Sequence, residues 1–152
     1  MRVLCVCLGN ICRSPLAEGI LRARAAEAGL DWTVDSAGTG DYHVGKPPDP
    51  RSEAEAAYHG IDISGQRARQ LTPADFDAFD HILVMDASNF QDARALASSP
   101  EQLAKLELIM NYAEPGRNGQ VPDPYWDDEG FAGVYEMLDE AARMFVSAKA
   151  DA

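Results

Sequence analysis

Short apolar runs of strand type alternate with helical stretches along this chain, and that alternation predicts an α/β fold built on a parallel sheet. A second observation sets its size. The 152 residues carry 46% hydrophobic side chains, enough for one core, and no linker or internal repeat divides them. Residues 1–152 are therefore expected to form a single three-layer domain, a four-stranded parallel sheet with helices on both faces. The third observation is the octet Cys7-Leu8-Gly9-Asn10-Ile11-Cys12-Arg13-Ser14, which follows the first apolar run and precedes a helix start. Open parallel sheets bind ligands at that end of a strand.

Each element has its own signal. Arg2 to Cys7 is the first strand candidate, cut off by Gly9 and Asn10. Ser14 reads as an N-cap with Pro15 at the first helical position, and Leu16, Ile20 and Leu21 form an apolar stripe running down to Gly29. Residues 32–36 are the second strand candidate. A helix over 50–58 starts on a proline and stops at His59-Gly60. Residues 81–86 (HILVMD) make the third strand, with Asp86 placed to cap the helix that follows, and residues 106–110 (LELIM) make the fourth. A last helix over 130–146 sets Phe131, Val134, Leu138, Ala142 and Phe145 at helical spacing, a face to pack on the sheet. Two long loops rich in Gly and Pro, 39–50 and 113–129, are the candidates for functional segments.

Charge and cysteine usage exclude several classes. With 13 basic and 25 acidic residues the net charge is −12, the wrong sign for a nucleic-acid partner, whose backbone needs a basic surface. No apolar run approaches the roughly 18 residues a membrane helix needs, and residues 3–8 are too short for a secretory signal, so the expected location is cytoplasmic. All three cysteines lie within the first 12 residues. They suit reactive reduced thiols better than a disulfide framework. His43, His59 and His81 lack metal-ligand spacing and are expected to be structural or exposed, with no metal and no cofactor.

The octet carries the chemistry. Gly9 and Asn10 tolerate left-handed backbone angles, so the loop can curl until successive N–H groups form an anion nest. The helix that follows adds its partial positive charge, which favours both a bound phosphate and the thiolate form of Cys7. The planar fork of Arg13 suits two equatorial phosphoryl oxygens, and the Ser14 hydroxyl can donate to the thiolate. Read alone, these residues permit a phosphatase, a reductase or an inert anion site.

The full string VCLGNICRSPLAE resembles the low-molecular-weight protein tyrosine phosphatases. The resemblance continues through Asp35-Ser36-Ala37-Gly38-Thr39, Val44-Gly45, Pro48-Asp49-Pro50-Arg51, His59-Gly60-Ile61, Ala68-Arg69-Gln70, Met85-Asp86 and Asp123-Pro124-Tyr125-Trp126. It implies a phosphate-binding loop after the first strand made by Leu8, Gly9, Asn10, Ile11, Cys12 and Ser14. It also implies hydrolysis of phosphotyrosine and small aryl phosphates in two steps: Cys7 attacks phosphorus to form a phosphocysteine, while Asp123 protonates the leaving phenolate and then activates water. The prolines around Asp123 restrict its backbone and help to aim it.

By the same resemblance Asn10 and Ser36 hold the loop in shape, Asp86 supports it or simply caps its helix, and Tyr42, Tyr125 and Trp126 form with Leu8 an aromatic rim. Cys12 is the implied redox partner of Cys7. Cys5 is read as core. Many relatives carry a histidine where this chain has Gln66, so the Gln66 amide is expected to supply that hydrogen bond to the loop network.

Two other readings stand beside this one. An arsenate reductase of the same fold would need an external thiol, because no cysteine follows residue 12, and a non-catalytic phosphate-binding module need not keep Cys7, Arg13 and Asp123 together. The larger cysteine phosphatases place a histidine where this chain has Val6. The expected partner is a phosphotyrosine-containing protein, with a tyrosine kinase as a further candidate partner and a monomer or weak dimer as the working state.

Overall fold

Four parallel strands in the order β2-β1-β3-β4 form the centre of the computed structural model, which describes residues 1–151. In chain order the elements are β1 (Arg2–Cys7), α1 (Arg13–Glu27), β2 (Thr33–Gly38), α2 (Pro50–Tyr58), α3 (Asp75–Ala78), β3 (His81–Val84), α4 (Ala87–Arg94), α5 (Pro100–Leu103), β4 (Leu106–Leu108), α6 (Met110–Ala113) and α7 (Gly130–Lys149). β1 lies between β2 and β3, with Cys7 level with Gly38 and Val6 level with Val84. The site loop therefore leaves the middle of the sheet.

The period-two alternation of β1 divides the core between two faces. Val3, Cys5 and Cys7 point into one cluster with Leu16 and Ile20 of α1, Ala56 of α2, Met110 of α6 and Val134, Leu138 and Phe145 of α7. Leu4 and Val6 point the other way, into Phe76 of α3, Phe79, Ile82, Val84 and Ala93 of α4. This is the predicted three-layer arrangement. Phe145 anchors the first face, with the rings of Trp32, His81 and Tyr112 edge-on to it at 4.7–5.7 Å.

β1 and α2 match their predicted bounds, and Gly60 takes the left-handed φ of +81° that stops α2. Elsewhere the bounds shift for local reasons. β2 runs on to Gly38 because residues 69–71 pair with it: Gly38 donates its N–H to the Arg69 carbonyl and receives the Leu71 N–H. β3 ends at Val84 and β4 at Leu108, since the next backbone groups turn to other partners, Met85 O accepting from Val121 N. α7 continues to Lys149 beyond its packed face through Ala148 and Lys149, both good helix formers. Ser14 is not an N-cap. α1 begins at Arg13, its N-cap position is Cys12 with no side-chain cap bond, and the Ser14 hydroxyl is committed to the loop. Among the described residues, no helix is long and apolar enough to cross a membrane.

Candidate active site

The loop between β1 and α1 is built by turning its carbonyls outward. Cys7 O accepts from Thr39 N, Leu8 O from Gly40 N, Ile11 O from Asp49 N, and Cys12 O from the Ser52 hydroxyl. A peptide plane that turns its C=O out turns its N–H in, so these bonds from neighbouring segments shape an anion nest. Asn10 sits at φ +58°, the left-handed conformation expected of that residue type. Gly38 is required beside it, because a Cβ there would meet Leu8 O at 2.6 Å.

A buried hydrogen-bond chain holds the loop from behind. Cys7 Sγ lies 3.1 Å from Ser14 Oγ, and Asn10 Nδ2 donates to Ser14 Oγ at 2.7 Å and to Ser36 Oγ at 3.0 Å. Ser36 donates to Glu18 Oε1, while the backbone N–H of Arg69 donates to Asn10 Oδ1. Asn10, Ser14 and Ser36 meet behind the loop; Glu18 and the Arg69 backbone were not foreseen as loop partners. Gln66 departs from expectation. Its Nε2 donates to the Pro15 carbonyl and its Oε1 is buried without a protein partner, so it braces α1 instead of joining the network.

Arg13, in the first turn of α1, is almost completely buried. Its Nη1 donates to Asp86 Oδ2 at 2.7 Å and to the Val121 carbonyl at 3.0 Å. Asp86 does both of the jobs considered for it, since its other oxygen accepts the Asn89 N–H that caps α4. Nη2 of Arg13 points toward Asp123 Oδ2 at 3.8 Å. Asp123 is half-exposed, and its Oδ1 accepts the Tyr125 N–H, a turn that fixes the carboxylate on the proline-flanked loop.

Cys7, Arg13 and Asp123 face one pocket of about 300 Å³, walled by Leu8 and Ile11 and edged by Tyr42, Tyr125 and Trp126. Trp126 is 91% exposed and stands edge-on to Tyr125 at 4.8 Å. His43, expected to be structural or merely exposed, lines the same pocket, stacks on Tyr125 at 6.3 Å and fills the space that a Cβ on Gly9 would need, its Cδ2 2.9 Å from that position. His59 and His81 pack against Tyr135 and Phe145 as structural residues.

Arg51 is a further residue the sequence reading left without a role. It donates to both oxygens of Asp49, to Asp128 and to the Tyr125 carbonyl, and its guanidinium covers the rings of Tyr125 and Phe131. It thereby ties the loop bearing Asp123 to the start of α2. The side-chain bonds from Arg51 hold the Asp49 carboxyl below its ordinary range. Its match in the Pro48-Asp49-Pro50-Arg51 string was the available signal.

The cysteines are free and chemically unequal. Burial pushes Cys12 up to about 12, with Asp49 adding to the effect, so it remains a thiol at neutral pH. Burial also raises Cys5 well above the ordinary thiol range, as a core residue should be. Among the described residues no group of three His, Cys, Asp or Glu side chains is arranged to hold a metal ion.

The family model described as low molecular weight phosphotyrosine protein phosphatase matches residues 2–151. A human protein of that same description is 41% identical, over 95% of this chain and 92% of its own. The crystal structure of YfkJ from Bacillus subtilis is 36% identical, with a TM-score of 0.90 over 97% of this chain and 93% of that one. An arginine phosphatase of Drosophila is 34% identical, with a TM-score of 0.91 over 100% of both chains.

Proposed function

This chain belongs to the low molecular weight phosphotyrosine protein phosphatase family, and from that premise we propose that it hydrolyses phosphotyrosine in proteins, and small aryl phosphates, with Cys7 as nucleophile. The observation that carries the reading is the convergence of Cys7, Arg13 and Asp123 on one pocket, with Ser14 bonded to the sulfur.

The phosphoryl group sits in the nest of residues 8–13, and Arg13 grips its equatorial oxygens as charge spreads over them. Asp86 and the Val121 carbonyl already hold Nη1 in place, so little reorganisation is needed. The Cys7 thiolate attacks phosphorus. The P–S bond forms as the P–O bond to tyrosine breaks, and protonated Asp123 delivers its proton to the leaving phenolate oxygen. Water then attacks the phosphocysteine and gives a proton to the Asp123 carboxylate. The P–S bond breaks, phosphate is released, and Ser14 donates to the departing thiolate.

The wall of Leu8 and Ile11 with the aromatic edge supports an aryl leaving group. A guanidinium leaving group, as in phosphoarginine, calls for a carboxylate beside it, and among the described lining residues Asp123 is the one that qualifies. Cys12 is the candidate for a protective role: peroxide oxidises the Cys7 thiolate to a sulfenic acid and leaves as hydroxide, and the Cys12 sulfur, giving up its proton as it attacks, displaces the sulfenic oxygen as water to form a disulfide. The reading takes the chain as one cytoplasmic domain, a monomer or weak dimer, whose substrate is supplied by a tyrosine kinase.

The test compares hydrolysis of an aryl phosphate, a phosphotyrosine peptide and a phosphoarginine peptide, in chelator, by wild type and Cys7→Ser. Tyrosine and aryl turnover that Cys7→Ser abolishes is the expected result. Unchanged turnover in Cys7→Ser overturns the mechanism, and a preference for phosphoarginine overturns the substrate.

A further inference from the structure

Next to the substrate pocket lies a second hollow that the mechanism does not use. It holds about 450 Å³ between α2 and the segment leading into α7, lined by Arg51, Ala54, Glu55 and Tyr58 on one side and by Asp128 and Phe131 on the other. Arg51 alone separates the two hollows: its guanidinium carbon is 5.6 Å from the ring centre of Tyr125, at the edge of the substrate pocket, and 4.6 Å from that of Phe131.

The charges of this groove do not cancel. Arg51 is the one base among its described lining residues, and both oxygens of Asp49 already accept from it. Asp128 accepts from Arg51 through Oδ1, and Glu55 meets His59 Nε2 at 3.2 Å through Oε2. The second oxygen of each carboxylate has no protein donor among the described residues. Beside them stands an aromatic surface. Tyr58 is 84% exposed, edge-on at 5.1 Å to His59, which itself stacks flat on Tyr135 at 3.8 Å. A single exposed tyrosine needs no explanation, but one propped at the edge of a hollow with two half-used carboxylates has a use.

That combination selects its occupant. Both carboxylates repel an acidic side chain, and an aliphatic one strips water from them without replacing the lost hydrogen bonds. Lysine or arginine meets both demands: the methylene stem lies on the Tyr58 ring while the cationic head reaches the carboxylates. An extended peptide advances about 3.3–3.6 Å per residue, so a chain leaving the substrate pocket at Tyr125 passes Arg51 within about two to four residues. We propose that this groove is a specificity subsite for phosphotyrosine proteins, taking a lysine or arginine that lies that far from the phosphotyrosine. This role rests on the reading of the neighbouring pocket as a phosphotyrosine site. The general excess of 25 acidic over 13 basic residues attracts any basic peptide; the groove adds a dependence on position.

The experiment measures kcat/KM, at low and high salt, for phosphotyrosine peptides of one neutral background in which a single lysine is moved step by step along both flanks. The lysine-free peptide, glutamate counterparts and a small aryl phosphate are run beside them. At one or two neighbouring positions lysine should raise kcat/KM about fivefold through KM, the scale of an exposed ion pair with a cation–π contact, and salt should erode the gain. Glu55→Gln keeps a partner for His59 while removing the charge, and Tyr58→Ala removes the ring. Each should cut the lysine gain to about twofold or less, with aryl phosphate and lysine-free peptide turned over as by wild type. Asp128 is left intact, since its bond to Arg51 also ties down the loop bearing Asp123.

Turnover with no lysine gain, with an equal gain at every position, or with a gain that survives both variants overturns the subsite alone. Should Glu55→Gln lose its cooperative thermal transition, Tyr58→Ala decides by the same criterion. A wild type that cleaves neither the aryl phosphate nor any peptide overturns the phosphotyrosine reading and the subsite with it.

Discussion

The floor of the pocket and its rim are built by opposite means. The floor, from Cys7 to Ser14, is buried apart from Leu8 and partly exposed Gly9 and Ile11, and its polar side chains are committed to one another or to Ser36, Asp86 and the Arg69 backbone. At the rim, Tyr42 and Trp126 stand largely in solvent, and the loop bearing Asp123 is tied down through Arg51 and its carboxylate partners. A buried polar network is stiff because breaking any bond strands a desolvated group. An exposed rim can adapt to what enters. The contrast teaches that the chemistry is set by the floor, while selection among phosphorylated substrates falls to side chains that cost little stability to change.

Substitutions can break or sharpen that contrast. The largest effect is expected for Arg13→Ala, which removes the guanidinium and leaves Asp86 without its cation: kcat should fall by about 10⁴-fold or more, on the scale seen when a central catalytic group is deleted. A fall under tenfold would mean the floor does not hold the phosphoryl group. Next comes Asp123→Asn, with a drop in kcat of order 10²-fold or more, the usual scale for a general acid. The loss should shrink for aryl phosphates with more acidic leaving groups, and equal losses across such a series would remove the acid role. At the rim, Trp126→Ala should raise KM for a phosphotyrosine peptide by roughly five- to tenfold, with kcat nearly unchanged, as expected when an exposed aromatic contact is lost. A comparable fall in kcat would show that the rim shares in the chemistry and would erase the distinction.

The same contrast explains what could be read in advance. Strand β1, the loop after it and helix α2 were legible because each is specified by neighbours in sequence: an apolar run, a left-handed Asn10, a proline start and a glycine stop. The octet and Asp123 were legible because their residue types are rare in that pattern. The short helices α3, α5 and α6, four residues each, were not, since one turn carries too little periodicity to stand out. The Ser14 N-cap reading failed for a related reason: local preference was outcompeted by Cys7 and Asn10, which become its neighbours only when the loop folds.

From the sequence alone came the chain order of the four strands with helices α1, α2 and α7, and Cys7, Arg13 and Asp123 as candidate site residues, because each rests on residue type and short spacing. Tertiary structure decided the rest. It brought Glu18 to Ser36, Asp86 to Arg13, Arg51 to the Asp123 loop and His43 into the pocket, while turning Gln66 away toward Pro15. Those pairings depend on distance between segments far apart in the chain and on where burial makes an unpaired polar group costly. Neither is encoded in any local stretch.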